Sequence, residues 1–229
     1  MDGVIDRDGA RALVGNAVLW PHVRDFLWDF APQVHASWLD DASLVSRFAT
    51  SSRVKRLVLE SLGIAPCFHA FPKEDGSRLL LLDAATLESL VRWLGALACA
   101  EELRKITDGA TVKALKAALP GVYPEVFGYV AYFSNLDFQR RGAETSRVEE
   151  TVVRAGHEFL SVALSGLPAA LVSRLKFKFA KDSAFASLAS RLVSEDGREP
   201  LAARRAKAQA QVLKLLKLKF PEAYLLCCS

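Results

Sequence analysis

One histidine–glutamate pair, His157-Glu158, has the look of the start of a helical zinc site. Such a site needs a second histidine one turn on, at i+4, so that both rings face the same ion. That position is Ser161, and none of the other three histidines lies within a helical turn. Cys67 and His69 could share an ion only with two ligands brought from distant parts of the chain. Carboxylates are paired at Asp40-Asp41 and Glu149-Glu150, but adjacent residues on a helix point in different directions, so neither pair is by itself an acid–base couple. The phosphate-binding loop ending in Lys-Ser/Thr is absent, as is the Gly-x-Ser-x-Gly elbow that exposes a nucleophilic serine. The expectation is a chain that is not an enzyme and carries no catalytic residue, no metal site and no cofactor.

Charge is the remaining chemistry. Between Arg198 and Lys219 seven basic residues face the single acidic Glu199, in a chain whose net charge is only +4. Arg204, Arg205, Lys207, Lys214, Lys217 and Lys219 form a candidate basic patch, with Ala208, Val212, Leu215 and Leu216 on another flank of the same helix. The basic flank suits phosphates, which gives the alternative reading of a nucleic-acid-binding protein. The plainer reading packs the leucines inward and leaves the lysines in water. At the other end Asp25, Asp29, Asp40 and Asp41 make an acidic, aromatic-rich region. Two ends of unlike charge can steer two different partners.

The four cysteines, Cys67, Cys99, Cys227 and Cys228, form no Cys-x-x-Cys motif, and the adjacent pair is poorly placed for a disulfide; reduced thiols are expected. The terminal Cys227-Cys228-Ser229 does not match the four-residue prenylation pattern. Met1 to Ala10 is acidic, unlike the basic opening of a signal peptide, and the most apolar window, Leu79 to Ala100, is broken by Asp83, Glu88 and Arg92. Neither a cleaved signal nor a membrane span is expected, so any membrane contact would come through partners.

Positioning falls to a succession of short helices, an all-α irregular bundle. A helix from Arg11 is expected to stop at Pro21, which opens the next, with Val23, Phe26, Leu27 and Phe30 on one face. Ser52 to Leu62 reads as a helix closed by Gly63. Residues 68–82 read as a candidate β-hairpin around the Asp75-Gly76 turn signal. Asp83 should cap a strong helix to about Cys99, with Leu87, Leu90, Val91, Leu94 and Leu97 as its stripe. Tyr123 to Phe133 has helical aromatic spacing, and Val148, Val152, Phe159 and Ala163 line the best amphipathic helix. Lys176-Phe177-Lys178-Phe179 alternates with period two, as a short extended segment would. Glu195 to Pro200 is a linker, which divides the chain into a helical domain at 1–197 and a basic C-terminal helix at 198–229 that packs on it and ends near Leu218.

Taken in order, these segments resemble a known family. Phe30-Ala31-Pro32 with His35-Ala36-Ser37-Trp38-Leu39 is similar to the short opening signature of the SctK proteins, the YscK/PscK-type components of the bacterial injectisome. Arg78 to Asp83, followed by Leu87, Leu90, Leu94-Gly95 and Leu103 to Ile106, resembles the central segment of that family. Gly166-Leu167-Pro168, Leu171 and Arg174 to Lys178 look like its late basic–apolar stretch, with Ala180 where a proline is expected. The resemblance implies a cytoplasmic, non-catalytic helical adaptor of the type III secretion sorting platform, peripheral to the inner membrane. It would sit between the inner-membrane ring protein SctD and the pod protein SctQ, with no nucleic acid involved. One contact patch is expected at Phe30, Pro32, His35, Trp38, Leu39, Asp40 and Asp41, where aromatic and acidic residues concentrate.

Overall fold

A computed structural model describes residues 19–27, 29–39, 51–64, 75–133, 148–185 and 201–228. Among them are nine α-helices, five short 3-10 turns and no strand. The helices are α1 (Leu19–Leu27), α2 (Ser52–Ser61), α3 (Ala84–Ala98), α4 (Ala100–Lys105), α5 (Gly109–Ala118), α6 (Val148–Ala163), α7 (Ala169–Lys176), α8 (Leu201–Lys219) and α9 (Pro221–Cys228).

The central helix starts where its cap predicts. Asp83 accepts from the Thr86 amide at 2.8 Å and from its hydroxyl at 2.7 Å, satisfying an amide that has no partner within the helix. All five stripe residues of α3 are buried, and so are Trp93, Gly95 and Ala96, because α3 is enclosed on several sides. Its main partner is α6, whose Val148, Val152, Phe159 and Ala163 are buried as their spacing requires. The two helices cross at a pair of glycines. A methyl on Gly95 would land on the Val152 carbonyl, and one on Gly156 on the Val91 carbonyl. The backbones therefore touch, and only residues without Cβ allow it.

Helix α8 lies against α6 through Ala208, Val212, Leu215 and Leu216. Its polar residues close the end of α6: Gln209 donates to the Ala163 carbonyl at 2.9 Å and Arg205 to that of Ser165 at 3.3 Å. These carbonyls have no acceptor role left inside the helix, so the side chains stand in for water. The chain breaks at Phe220-Pro221 and restarts as α9, an additional helix beyond the expected end near Leu218.

Four local expectations are corrected. Arg78 to Leu82 is not a strand: Asp75–Leu81 is a 3-10 helix touched by α1, α7 and α9. Leu79, Leu80, Leu81 and Leu82 are all buried, whereas a hairpin face buries every second residue. Phe68 to Phe71, the other half of that hairpin, lies outside the described residues. Phe177, Lys178 and Phe179 are likewise all buried, in a turn that ends α7 rather than an extended segment. Leu19 and Trp20 belong to the same described helix as Pro21, so the chain does not stop at that proline; the part of the expected helix before Leu19 lies outside the described residues. Tyr123 to Phe133 forms two 3-10 turns, Glu125–Gly128 and Val130–Phe133.

The crossing supplies a sharp test. Gly95→Ala or Gly156→Ala should cost about 2–3 kcal/mol, since the helices must part to admit a methyl. Gly109→Ala, at an exposed helix start with open space around it, should cost nothing measurable in the same thermal melts.

Candidate interaction surface

The stretch from Arg174 to Lys181 reaches three separate parts of the chain. Arg174, 3% exposed, donates to the carbonyls of Phe26 and Leu27 at 2.9 and 3.0 Å, closing the C-terminal end of α1 with a positive charge. Its guanidinium also lies 5.8 Å from the centre of the Phe30 ring. Lys178 has no exposed surface, and its ammonium donates to the carbonyls of Leu80 and Leu82 at 2.8 and 2.7 Å. From Phe177 to Lys181 the chain takes up the N-terminal segment. The His35 amide donates to the Phe177 carbonyl at 2.7 Å, and the Trp38 indole to that of Phe179 at 2.9 Å. The Lys181 amide donates to Ser37 Oγ at 2.8 Å. Trp38 also packs on the edge of Phe177, with ring centres 4.7 Å apart.

Burial pushes the Lys178 ammonium down to about 7, against the pull of the nearby Asp83 carboxylate. Partial burial works to raise the Asp83 carboxyl, but the Thr86 hydrogen bonds hold it below its ordinary value, so it stays charged.

The segments that carry the family resemblance, Phe30 to Leu39, Arg78 to Asp83 and Arg174 to Lys178, thus meet in one latch, pinned by side chain to carbonyl. A model of the family described as YOP proteins translocation protein K (YscK) matches residues 25–227. The chain belongs to the YscK family. This is a family of type III secretion proteins. Comparisons with curated proteins and with solved structures return no match.

Around the latch of this YscK-family chain lies an open groove of about 310 Å³, lined among others by His22, Asp25, Pro32, Gln33, His35 and Asp83. Of the residues expected to make a contact patch, Pro32 is exposed and His35, Trp38 and Leu39 are half-buried. Phe30 is a correction. It has no exposed surface and packs edge-on against Phe26 at 5.5 Å, so no partner reaches it. Asp40 and Asp41 lie outside the described residues, as do Cys67 and His69. His22, Asp25 and Asp83 join the groove without having been singled out as its members, because their proximity is a product of the fold. Lys178 is hidden differently: its alternation with Phe177 and Phe179 reads as a half-wet strand, and no local signal shows that it and Arg174 are buried.

On α8 the basic residues divide. Arg204, Lys207, Lys214 and Lys217 are exposed, whereas Arg205 and Lys219 turn inward. The Lys219 ammonium lies 4.4 and 4.3 Å from the ring centres of Trp93 and Tyr129 and pairs with Glu125 at 2.7 Å. Lys214 reaches the Tyr132 carbonyl at 2.8 Å. Part of the basic patch is thus engaged in holding Glu125–Gly128 and Val130–Phe133 to the bundle. Glu149 and Glu150 are exposed on the first turn of α6. Among the described residues no three His, Cys, Asp or Glu side chains converge as metal ligands, and no helix is long and apolar enough to cross a membrane.

Lys178 gives the latch a pH signature. The unfolded chain keeps this ammonium up to 10.5, whereas the folded one releases its proton near 7. Between those values the unfolded state binds more protons, so stability rises with pH across the window and the burial penalty is fully felt only below it. The stability margin of the wild type over Lys178→Met should therefore widen by on the order of 2 kcal/mol between about pH 6.5 and about pH 9, followed by denaturant melts. Trp38→Ala should lower stability by about 2 kcal/mol in the same assay, through loss of the indole hydrogen bond and the Phe177 contact.

Proposed function

We propose that this chain is a non-enzymatic cytoplasmic adaptor of the type III secretion sorting platform, placed between the inner-membrane ring protein SctD and the pod protein SctQ. The observation that carries the reading is the extent of the family match, residues 25–227, which takes in the named groove residues except His22 and the whole basic helix α8. An adaptor needs two surfaces of different character, each of roughly 800 Å². The groove presents carboxylates and imidazoles from His22, Asp25, His35 and Asp83. The outer flank of α8 presents Arg204, Lys207, Lys214 and Lys217. Surfaces of opposite charge recruit different partners and set association rates more than final affinity. The strongly buried ionisable groups of the latch serve the fold: Arg174 and Lys178 donate to backbone carbonyls of α1 and of the residues around Leu81. The protein reaches the membrane only through its partners.

Two charge-reversal variants test this. Asp25→Lys with Gln33→Lys alters the groove, and Lys207→Glu with Lys217→Glu alters α8, all at positions that are exposed or half-exposed. In pull-downs with the SctD cytoplasmic domain and with SctQ, each variant should lose one partner by about ten-fold or more and keep the other, with its melting temperature unchanged. Retention of both partners by both variants would sink the reading.

A further inference from the structure

The outer face of α8 is charged in one sense along its length. Leu201–Lys219 carries arginines and lysines and no carboxylate. Arg205 and Lys219 turn inward, which leaves two exposed like-charged pairs, Arg204 with Lys207 and Lys214 with Lys217. Like charges three residues apart on a helix repel by about 0.2–0.5 kcal/mol. A face that meets only water relieves this with glutamates one turn away, and α8 has none. Ala203, Lys207, Ala210, Lys214 and Lys217 recur at helical intervals on one stripe, and all are exposed. The small side chain of Ala210 lets an incoming chain come close to α8 between the cation pairs.

Apolar surface borders the stripe. Tyr132 and Leu218 are 58% and 44% exposed, an unusual state for large apolar side chains among the described residues. Lys214 reaches the Tyr132 carbonyl at 2.8 Å, and its ammonium lies 5.8 Å from the centre of the Tyr132 ring. Around the helix Leu218 falls between Lys214 and Lys219, and both lysines reach the turns that carry Tyr129 and Tyr132. Leu218 therefore stands on the edge of α8 that faces those turns.

We propose that this face receives an acidic amphipathic helix of a partner protein. Its carboxylates meet Arg204, Lys207, Lys214 and Lys217, and an apolar side chain covers Leu218 and Tyr132. The cation pairs begin at Arg204 and Lys214, about 15 Å apart along α8. A second helix packed alongside stays in contact over that span and repeats one face at the same rise, so its glutamates can meet both pairs at once. Lys214 is held by the Tyr132 carbonyl, and the Lys217 ammonium lies 5.9 Å from the centre of the Tyr224 ring, so both charges are placed before the partner arrives. A nucleic acid would satisfy the cations but would set a phosphate backbone against Leu218. A membrane surface would gain from deeper apolar insertion than one leucine and one tyrosine supply. The choice of an acidic helix follows from this face; that a partner presents one rests on the adaptor reading.

The test follows the fluorescence anisotropy of a labelled synthetic helical peptide while the whole chain is titrated in. The peptide carries glutamates on one face at the spacing of the two cation pairs, with leucines one turn beyond. It should bind saturably, with an affinity that falls as salt rises. Lys207→Glu with Lys217→Glu should weaken binding by about ten-fold or more and flatten the salt dependence. Leu218→Ser with Tyr132→Ser should weaken it by about ten-fold and leave the salt dependence as it was. All four positions are exposed, so the melting temperatures should not move. A peptide of the same composition, shuffled so that its glutamates surround the helix, should bind about ten-fold more weakly; equal binding overturns the proposal. Tighter binding of a short oligothymidylate than of the peptide would overturn it in favour of nucleic acid, and tighter binding of phosphatidylserine vesicles in favour of a membrane. Indifference of the peptide to Leu218→Ser with Tyr132→Ser overturns it, as does the absence of saturable binding. Neither SctD nor SctQ takes part, so this proposal can fail while the pull-downs uphold the adaptor reading, and the reverse.

Discussion

Burying an ammonium group strips it of hydration at a cost of several kcal/mol, so Lys178 must meet dipoles where its water was. The carbonyls of Leu80 and Leu82 provide two, the Phe26 ring lies 5.2 Å away, and the Asp83 carboxylate adds its field. This requirement shapes the neighbourhood. A strand pairing would engage those carbonyls in a ladder, whereas the 3-10 turn Asp75–Leu81 leaves them facing the lysine. Helix α1 packs on one part of that turn, with its own end closed by Arg174 four residues before Lys178. Helix α9 packs on another part, where Arg78 donates to the Cys227 carbonyl at 3.2 Å. Residues far apart in sequence at the two ends of the chain are thus fixed to one buried turn.

The glycine crossing and the lysine share one helix. Gly95 and Gly156 bring α3 and α6 into backbone contact along its body. Asp83, the cap of α3, follows directly on Leu82, whose carbonyl Lys178 engages at the start of the same helix. A buried cation that loses an acceptor cannot turn to solvent for another, so the position of that start matters to the lysine as the close crossing matters to α6.

What the sequence makes legible follows the range of the forces involved. The Asp83 cap, the α3 stripe and the α6 stripe are local patterns with a local cause, and all three are found as read. Gly63 closes α2 with φ of +67°, again a local backbone demand. The four leucines from Leu79 to Leu82 mislead because a fully enclosed 3-10 turn and a buried strand share the same composition. Lys176 to Phe179 misleads for the related reason that period-two alternation presumes a wet face, and Lys178 has none. Phe30 is expected at the contact patch because aromatic and acidic residues concentrate around it, yet the 3-10 turn that follows it leaves Phe30 inside while Pro32 stays out. Long-range pairings, Arg174 with the end of α1 or Trp38 with Phe179, leave no trace in spacing at all.

The same distinction bears on the charges. A count of basic residues on α8 gives each lysine equal weight as a partner contact. The fold does not: the Lys219 ammonium sits between two aromatic rings beside Glu125, and Arg205 donates to the carbonyl of Ser165 near the end of α6. What remains for long-range attraction is the outer flank of Arg204, Lys207, Lys214 and Lys217. Even there Lys214 is anchored by the Tyr132 carbonyl, which holds its charge at a fixed point rather than on a free stem. Fixed charges lose less side-chain entropy when a partner arrives, so a small preorganised flank can recruit as effectively as a larger mobile one. The basic flank is also tied to the bundle through the leucines of α8 on α6.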